Sequence, residues 1–358
     1  MKRRLRVGFA GCGEVAVEKH MPALAELREV EVVAVADHDP ARLAQVHRRF
    51  GQPHRYDEVA KLLDHPGLDA VAICLPPCLQ ATTAMAALDA GKHVWVDPPL
   101  GMSLVECDRL IERAGRSPQT VIVGFHMRWH RLVRQARDII RAGRLGRLQT
   151  LRAVWNSPRD DETLPEWRRH RALGGGALVE IAMDHFDLWR YLLQSEIEEL
   201  SALTMDGKWE DEAAVVSGRM ANGTLVSAVL SERANHETEF ELGGTAGRLR
   251  VSCIRFEGLE YYATSTMPSS AGARLGRLAH FFRELPRALP RMHRAGAYRL
   301  SYRDQWRHFV RCVETGAPVE SSLDDGRQAL SAVLAAAQST LVRRPVAPRD
   351  APGELTRR

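Results

Sequence analysis

The sequence predicts an α/β protein of two domains. A parallel sheet wrapped by helices occupies the first third, and an α+β domain with a large, mostly antiparallel open sheet follows. Three observations carry that reading. At 358 residues the chain is long for a single core. Over residues 1–125 apolar strand runs alternate with amphipathic helices, the rhythm that builds a parallel sheet. Past Gly124 the rhythm changes, and from 200 onward strand runs succeed one another without helices between them.

The first-domain strands fall at 4–10, 30–36, 70–75, 93–96 and 120–124, each short and rich in Val or Ile, as strands buried on both faces are. Helices fill 14–27, 41–50, 79–90 and 104–114. Gly51, Gly91 and Gly115 stand where three of them stop, because glycine accepts the left-handed conformation of a helix end. Beyond Gly124, a helix at 130–142 and a strand at 148–155 precede helical turns after Gly176. Alternating runs then include 213–220, 224–230 and 236–242, and Asn222-Gly223 between the first two is a strong hairpin signal. Helices resume at 304–314 and 324–342. The domain boundaries expected are 1–125 and 126–345, with a frayed tail at 346–358.

Composition narrows the class. With 45% hydrophobic and 27% charged residues, the chain has the profile of a soluble globular protein. It contains no run of 18 apolar residues, so no membrane span is expected. The basic start leads into an apolar stretch that breaks at Gly11-Cys12-Gly13, which reads as a strand start rather than a signal peptide. Six cysteines at 12, 74, 78, 107, 253 and 312 show neither a CxxC pair nor a zinc spacing, which fits reduced thiols in the cytoplasm. The net charge of +5 is spread among 45 acids, so a small-molecule substrate is expected and not nucleic acid. The sharpest basic cluster, 274–294, reads as an amphipathic helix interrupted by Pro286 and Pro290. A solvated face or subunit contact is expected there, with an anionic ligand or membrane surface as the alternative.

Gly11-Cys12-Gly13-Glu14-Val15-Ala16 follows the first strand directly and opens the first helix. Gly11 allows a tight turn, Gly13 lets the backbone approach a pyrophosphate, and Ala16 permits close helix–strand packing. Asp37 ends the second strand 24 residues after Gly13. A carboxylate there accepts hydrogen bonds from adenosine ribose hydroxyls and repels a 2′-phosphate. The pattern is that of a Rossmann domain binding NAD in preference to NADP, although nearby Arg42 keeps the second cofactor open.

Further motifs extend along the chain: Leu75-Pro76-Pro77, the run from Ala90 to Leu100, Gly124-Phe125-His126-Met127-Arg128-Trp129, Trp167-Arg168, Gly174 to Glu180, Asp184-His185-Phe186-Asp187, and Ser322 to Gly326. Together they make the whole chain resemble the Gfo/Idh/MocA family of oxidoreductases. The resemblance implies that Gly11, Gly13, Glu14, Val15, Asp37, Leu75, Pro76, Asp97 and Pro98 line the cofactor. It also implies a homodimer or homotetramer formed through the C-terminal sheet, with sugars, inositols or related polyols bound between the domains.

Three departures fall where that family does its chemistry. Its usual Glu-Lys-Pro is Asp97-Pro98-Pro99 here, and proline has no donor to replace the lysine that normally meets the reacting hydroxyl. A rigid turn beside the nicotinamide is expected instead, with a cis 98–99 bond. Gln80 stands where histidine is common. The family's acid–base pair, Asp then His four residues later, aligns with Glu180 and Asp184. His185 comes one residue late and is rotated by ~100° around a helix.

Glu180, Asp184 and Asp187 are spaced i, i+4, i+7 on an otherwise apolar helix and so share one face. Crowded carboxylates raise one another's pKa, so one of them could hold a proton near neutrality. The alternative is a face salt-bridged to arginines such as Arg128 or Arg168. Three carboxylates at this spacing also suit a metal, but no metal is expected. By resemblance His126, Arg128 and His185 approach the substrate, and Trp167-Arg168 supplies an aromatic wall and a charged clamp.

Three functions are compatible with these residues. The leading one is an NAD-dependent oxidoreductase acting on a sugar-like or other small polar substrate, with Asp184, Glu180 or His126 replacing the lysine as the proton-transfer group. The second is a non-redox enzyme that retains tightly bound NAD, of the glycosidase or lyase type. The third is a catalytically inactive NAD-binding protein.

Overall fold

The computed structural model describes residues 3–355, apart from 52, 256, 257 and most of 265–295. The basic stretch 274–294 lies largely outside the described residues. The chain forms two compact units. The first holds Met1–His126 together with Tyr302–Leu330, and the second holds Met127–Ser301 together with Ser331–Arg358. A single boundary near 125 is therefore corrected: residues 302–330 return to the first unit.

In the first unit, β1 (Leu5–Ala10), β2 (Val30–Ala36), β3 (His54–Tyr56), β4 (Ala70–Ile73), β5 (His93–Val96) and β6 (Val121–Val123) form one parallel sheet in the order β3-β2-β1-β4-β5-β6. The strands are short because both faces are covered, and every residue of β4 and of β6 is buried. The order reverses direction between β1 and β4. In open parallel sheets the carboxyl ends of the strands at such a reversal form the ligand crevice. The first helix opens as a π-helical turn, Ala16–His20, and continues as α1 (Met21–Leu24). A π turn at this point is of the kind found at functional sites.

The returning segment carries part of α8 (Gly296–Thr315) and of α9 (Leu323–Val342). Trp306 stacks on Trp95 of β5, with centroids 4.1 Å apart and an interplanar angle of 13°. Gln305 Nε2 and Ser321 Oγ each donate to the Val123 carbonyl at 2.8 Å, while Val123 N–H donates to the Ser321 carbonyl at 3.1 Å. These bonds seal the free edge of β6, which explains why a segment so late in sequence belongs to this core.

The second unit is built on a seven-stranded sheet. Its strands are β7 (Leu148–Asn156), β8 (Ile197–Met205), β9 (Ala213–Met220), β10 (Leu225–Ser231), β11 (Glu237–Gly244), β12 (Gly247–Ser252) and β13 (Leu259–Ala263), in the order β13-β12-β11-β7-β10-β9-β8. All neighbours are antiparallel except β7 and β10. Gly223, at φ +84°, makes the β9–β10 turn that Asn222-Gly223 predicts. Helix α7 (Ala177–Leu193) contacts β8, β9 and β10 and is buried over most of its length. Leu203, Val215 and Val229 are cross-strand neighbours that stay exposed. The stretch beyond 345 is anchored rather than frayed at its start. Leu200 and Val346 exchange backbone hydrogen bonds of 2.8 and 2.9 Å, and Ser331 Oγ donates to the Pro348 carbonyl.

Among the described residues of this unit, two histidines are buried. His185 presents its ring edge-on to Trp155 at 5.0 Å, and neither of its nitrogens makes a hydrogen bond. Burial holds it down to about 3. His130 is held down to about 4, by burial first and by the Arg131 charge second. Both values lie below the ordinary 6.5, so below that pH the unfolded chain binds more protons than the native one. Stability is therefore expected to fall as pH drops from 6.5 towards 5, by at most ~1.4 kcal/mol per pH unit for each ring. His185→Phe should remove about half of that slope in denaturant melts across this range, whereas an unchanged slope would show that His185 is not titrating on unfolding.

Candidate dinucleotide cradle and carboxylate–arginine cluster

At the carboxyl end of β1, Gly11 adopts φ +94°, and a Cβ there would lie 2.4 Å from the Cys74 carbonyl oxygen. Only glycine fits. A Cβ on Gly13 would meet nothing within 4 Å, so the backbone is open to a ligand at the position where a pyrophosphate must approach. Glu14 and Val15 follow with their side chains at least partly exposed. Asp37 is tied to this turn: its Oδ2 accepts the Cys12 N–H at 2.8 Å and its Oδ1 accepts the Asp39 N–H at 2.9 Å. Arg42 Nη1 lies 3.8 Å from the same carboxylate. Leu75 and Pro76 sit at the end of β4, half-buried, as do Asp97 and Pro98 after β5. The Pro98–Pro99 bond is cis, as expected. These residues fit a dinucleotide lying across the carboxyl edge of the sheet. Gln80, by contrast, is buried within α4 (Pro77–Asp89).

Asp97 is the best-held polar group at this edge. Its carboxylate accepts from Trp95 Nε1 at 3.2 Å and from His20 Nε2 at 3.1 Å, and the Cys74 sulfur lies within 4.8 Å of it. His20 is fully buried, and its Nδ1 accepts the Trp306 Nε1–H at 3.0 Å. That bond places the ring proton on Nε2, pointing at Asp97. Burial pushes the Asp97 carboxyl up, but His20, Cys74 and Trp95 together outweigh it and hold it below its ordinary value. His20, Cys74 and Asp97 bring donor atoms within 4.8 Å of one another, a grouping a metal could use. The hydrogen-bond directions describe a closed network instead, because Trp306 already occupies the remaining His20 nitrogen.

The α7 stripe divides in the second unit. Asp187 and Arg128 form a buried bidentate ion pair, with Arg128 Nε donating to Asp187 Oδ2 at 2.8 Å. Glu180 lies 3.2 Å from Arg168 Nε and 3.3 Å from Arg159 Nη2. The arginine-paired alternative thus describes Asp187 and Glu180, with the two arginines it names. Arg168 also lies over the Trp167 ring, 5.0 Å from its centroid. Asp184 is half-buried; burial of the Tyr298 phenol first, and then the Asp184 charge, push that phenol's pKa up. Two expectations need correction. Arg128 is held within its own unit by Asp187, and His185 points into the apolar interior because it is out of phase with the stripe. His126 is buried in the first unit, stacked on Tyr302 at 4.3 Å and 12°.

One residue joins this cluster without having been singled out. Glu232, almost fully buried, accepts the Trp209 Nε1–H at 2.8 Å and lies 3.8 Å from Arg159 Nε. A signal for it exists in the sequence, because positions 226, 228, 230 and 232 share the inward phase of β10. Burial, and then the neighbouring Glu180 charge, push its carboxyl up to about 8. Glu232 thus adds a carboxyl to the cluster from outside α7. A carboxyl whose folded value exceeds its unfolded value stabilises fully at low pH and loses that contribution as pH rises through the folded value. Glutamine mimics the protonated acid. The stability of Glu232→Gln relative to the natural protein is expected to grow from pH 5 to pH 8, by at most ~1.4 kcal/mol per unit. A pH-independent difference in urea melts would contradict the protonated state.

Comparison with known proteins agrees with this geometry. Residues 5–125 match the family model of an oxidoreductase family with an NAD-binding Rossmann fold, and residues 133–250 match the GFO/IDH/MocA C-terminal domain. A myo-inositol 2-dehydrogenase of Thermotoga maritima is 26% identical over 96% of this chain and 98% of its own. A dTDP-3,4-didehydro-2,6-dideoxy-α-D-glucose 3-reductase of Saccharopolyspora spinosa is 29% identical over 70% of this chain and 75% of its own. Among solved structures, the WlbA dehydrogenase from Bordetella pertussis, in complex with NADH and UDP-GlcNAcA, superposes with a TM-score of 0.79 at 20% identity, covering 97% of this chain and 98% of its own. GenD2 from gentamicin A biosynthesis, in complex with NAD, gives 0.80 at 20% identity and covers 97% of each chain. At these identities the structures establish the shared fold. With an NAD-binding Rossmann domain and the matching C-terminal domain, the chain belongs to the Gfo/Idh/MocA oxidoreductase family.

Proposed function

We propose that the protein is an NAD-dependent oxidoreductase acting on a sugar-like or other small polar substrate, working without a lysine after β5. The observation that carries this reading is the intact cradle, with an open Gly13 backbone and Asp37 fixed at the end of β2. Relatives that act on inositol and on dideoxy sugars support the substrate class. NAD supplies hydride transfer when bound; the chain has to bind, orient and move a proton. Pro98 has no donor, so the proton has to pass through another group.

Asp184 is the proposed group. It occupies the position aligned with the family's histidine, is partly exposed on α7, and has Tyr298 beside it. Glu180, clamped by Arg159 and Arg168, is proposed to set the local field, and Trp167 with Arg168 to hold the substrate's polar face. His126 is the remaining candidate on the first unit. A second reading, a dinucleotide-binding protein without chemistry, is favoured by the arginine pairing of Glu180 and Asp187.

Two further proposals accompany this one. The exposed Leu203, Val215 and Val229 row supports a homodimer or homotetramer through the second sheet, which sedimentation equilibrium reads directly. Six free cysteines, with no membrane-spanning helix among the described residues, support a cytoplasmic setting.

Asp184→Asn is expected to lower turnover on polyols or nucleotide sugars by ~10²–10⁴-fold while NADH affinity stays nearly unchanged. Undiminished turnover would remove Asp184 from the chemistry. NADH binding by the natural protein with no turnover on any polyol or sugar would select the second reading.

A further inference from the structure

Asp97 is held by hydrogen bonds and not by a lysine or arginine of the described residues. Its partners are the Trp95 indole and the His20 Nε2–H, with the Cys74 sulfur within 4.8 Å of the carboxylate, and Trp306 fixes that histidine's other nitrogen as an acceptor. The Trp306 Nε1–H points at His20 Nδ1, so what the ring presents to Asp97 is its Nε2–H. No lysine or arginine of the described residues forms a salt bridge with Asp97, and the following residue is Pro98. Such a carboxylate in a low-dielectric surround attracts positive charge strongly.

The sheet fixes what meets it. Asp37 ends β2 on one side of the glycine turn, and Asp97 follows β5 on the other. Cys74 lies between the turn and Asp97: its carbonyl crowds Gly11 and its sulfur is within 4.8 Å of the carboxylate. A dinucleotide with its adenosine ribose on Asp37 and its pyrophosphate over Gly11–Gly13 therefore extends its other half along the ends of β4 and β5. That half is a pyridinium cation in NAD⁺ and a neutral dihydropyridine in NADH.

We propose that Asp97 makes the cradle bind the oxidised, positively charged form of the cofactor more tightly than the neutral, reduced form. This rests on the NAD-binding reading, and it makes Asp97 a specificity-determining residue for the cofactor's redox state. The side chain remains 14% exposed, enough for its field to reach a ligand at the strand ends.

The test is calorimetric titration of the whole protein with NAD⁺, NADH and ADP-ribose, which shares the adenosine and pyrophosphate but lacks the nicotinamide. Asp97→Asn should lower the NAD⁺-to-NADH affinity ratio by about tenfold and leave ADP-ribose binding unchanged. Asp97→Glu, which keeps the charge, should retain the ratio. An unchanged ratio in Asp97→Asn, with ADP-ribose still bound, overturns the proposal. Failure of the natural protein to bind ADP-ribose would overturn the dinucleotide reading itself. Should Asp97→Asn lose ADP-ribose binding through misfolding, Pro98→Lys decides: it leaves the carboxylate in place and adds a cation beside it. A lowered ratio there supports the proposal, and an unchanged ratio overturns it.

Discussion

The carboxyl edge of the first sheet depends on how the Asp97 charge is held inside the protein. Taking a carboxylate out of water is costly, and hydrogen bonds to a charged group offset about 1.5–3 kcal/mol each. Trp95 of β5 and His20 of the π turn after the glycines donate to Asp97, and Cys74 at the end of β4 lies beside it. A fourth residue, Trp306, arrives from 286 positions beyond His20 to fix its ring. Stacking of Trp306 on Trp95 places its N–H for that task. The network thus joins the glycine helix, two strand ends and the returning segment, and every residue expected to touch the cofactor lies on one of these elements or beside them. Loss of any one donor would leave a buried charge short of a partner.

The second unit uses charge differently. Arg128–Asp187 and Arg171–Asp211 are buried ion pairs, each costly to break because the survivor would remain buried without its partner. Around Glu180 the balance is less simple. Two carboxylates, Glu180 and Glu232, face two arginines, Arg159 and Arg168.

Much of this was legible in the residues. Val- and Ile-rich runs placed five of the six parallel strands, and Asn222-Gly223 placed the hairpin. The exception, β3, reads His54-Arg55-Tyr56; a three-residue edge strand with polar faces has no periodicity to detect. The helices containing residues 302–330 were visible, but an apolar helix face does not say which core will cover it. The glycine turn and Asp37 were plain because their spacing reports a backbone geometry. The stripe on α7 was plain too, since i, i+4, i+7 fixes one face. Which arginine meets which carboxylate depends on contacts between residues far apart in sequence, so that remained an alternative. His185 shows the limit of motif alignment: a one-residue offset on a helix turns the ring into the core. The Asp97 network was not legible at all, since nothing in the sequence links His20 to Trp306.

A crystal structure of the NAD⁺ complex tests the central claim most directly. The adenosine ribose should hydrogen-bond Asp37, the pyrophosphate should lie over Gly11–Gly13, and the pyridinium should lie at the ends of β4 and β5 on the Asp97 side. A dinucleotide bound in the reverse sense, or away from this edge, would contradict it.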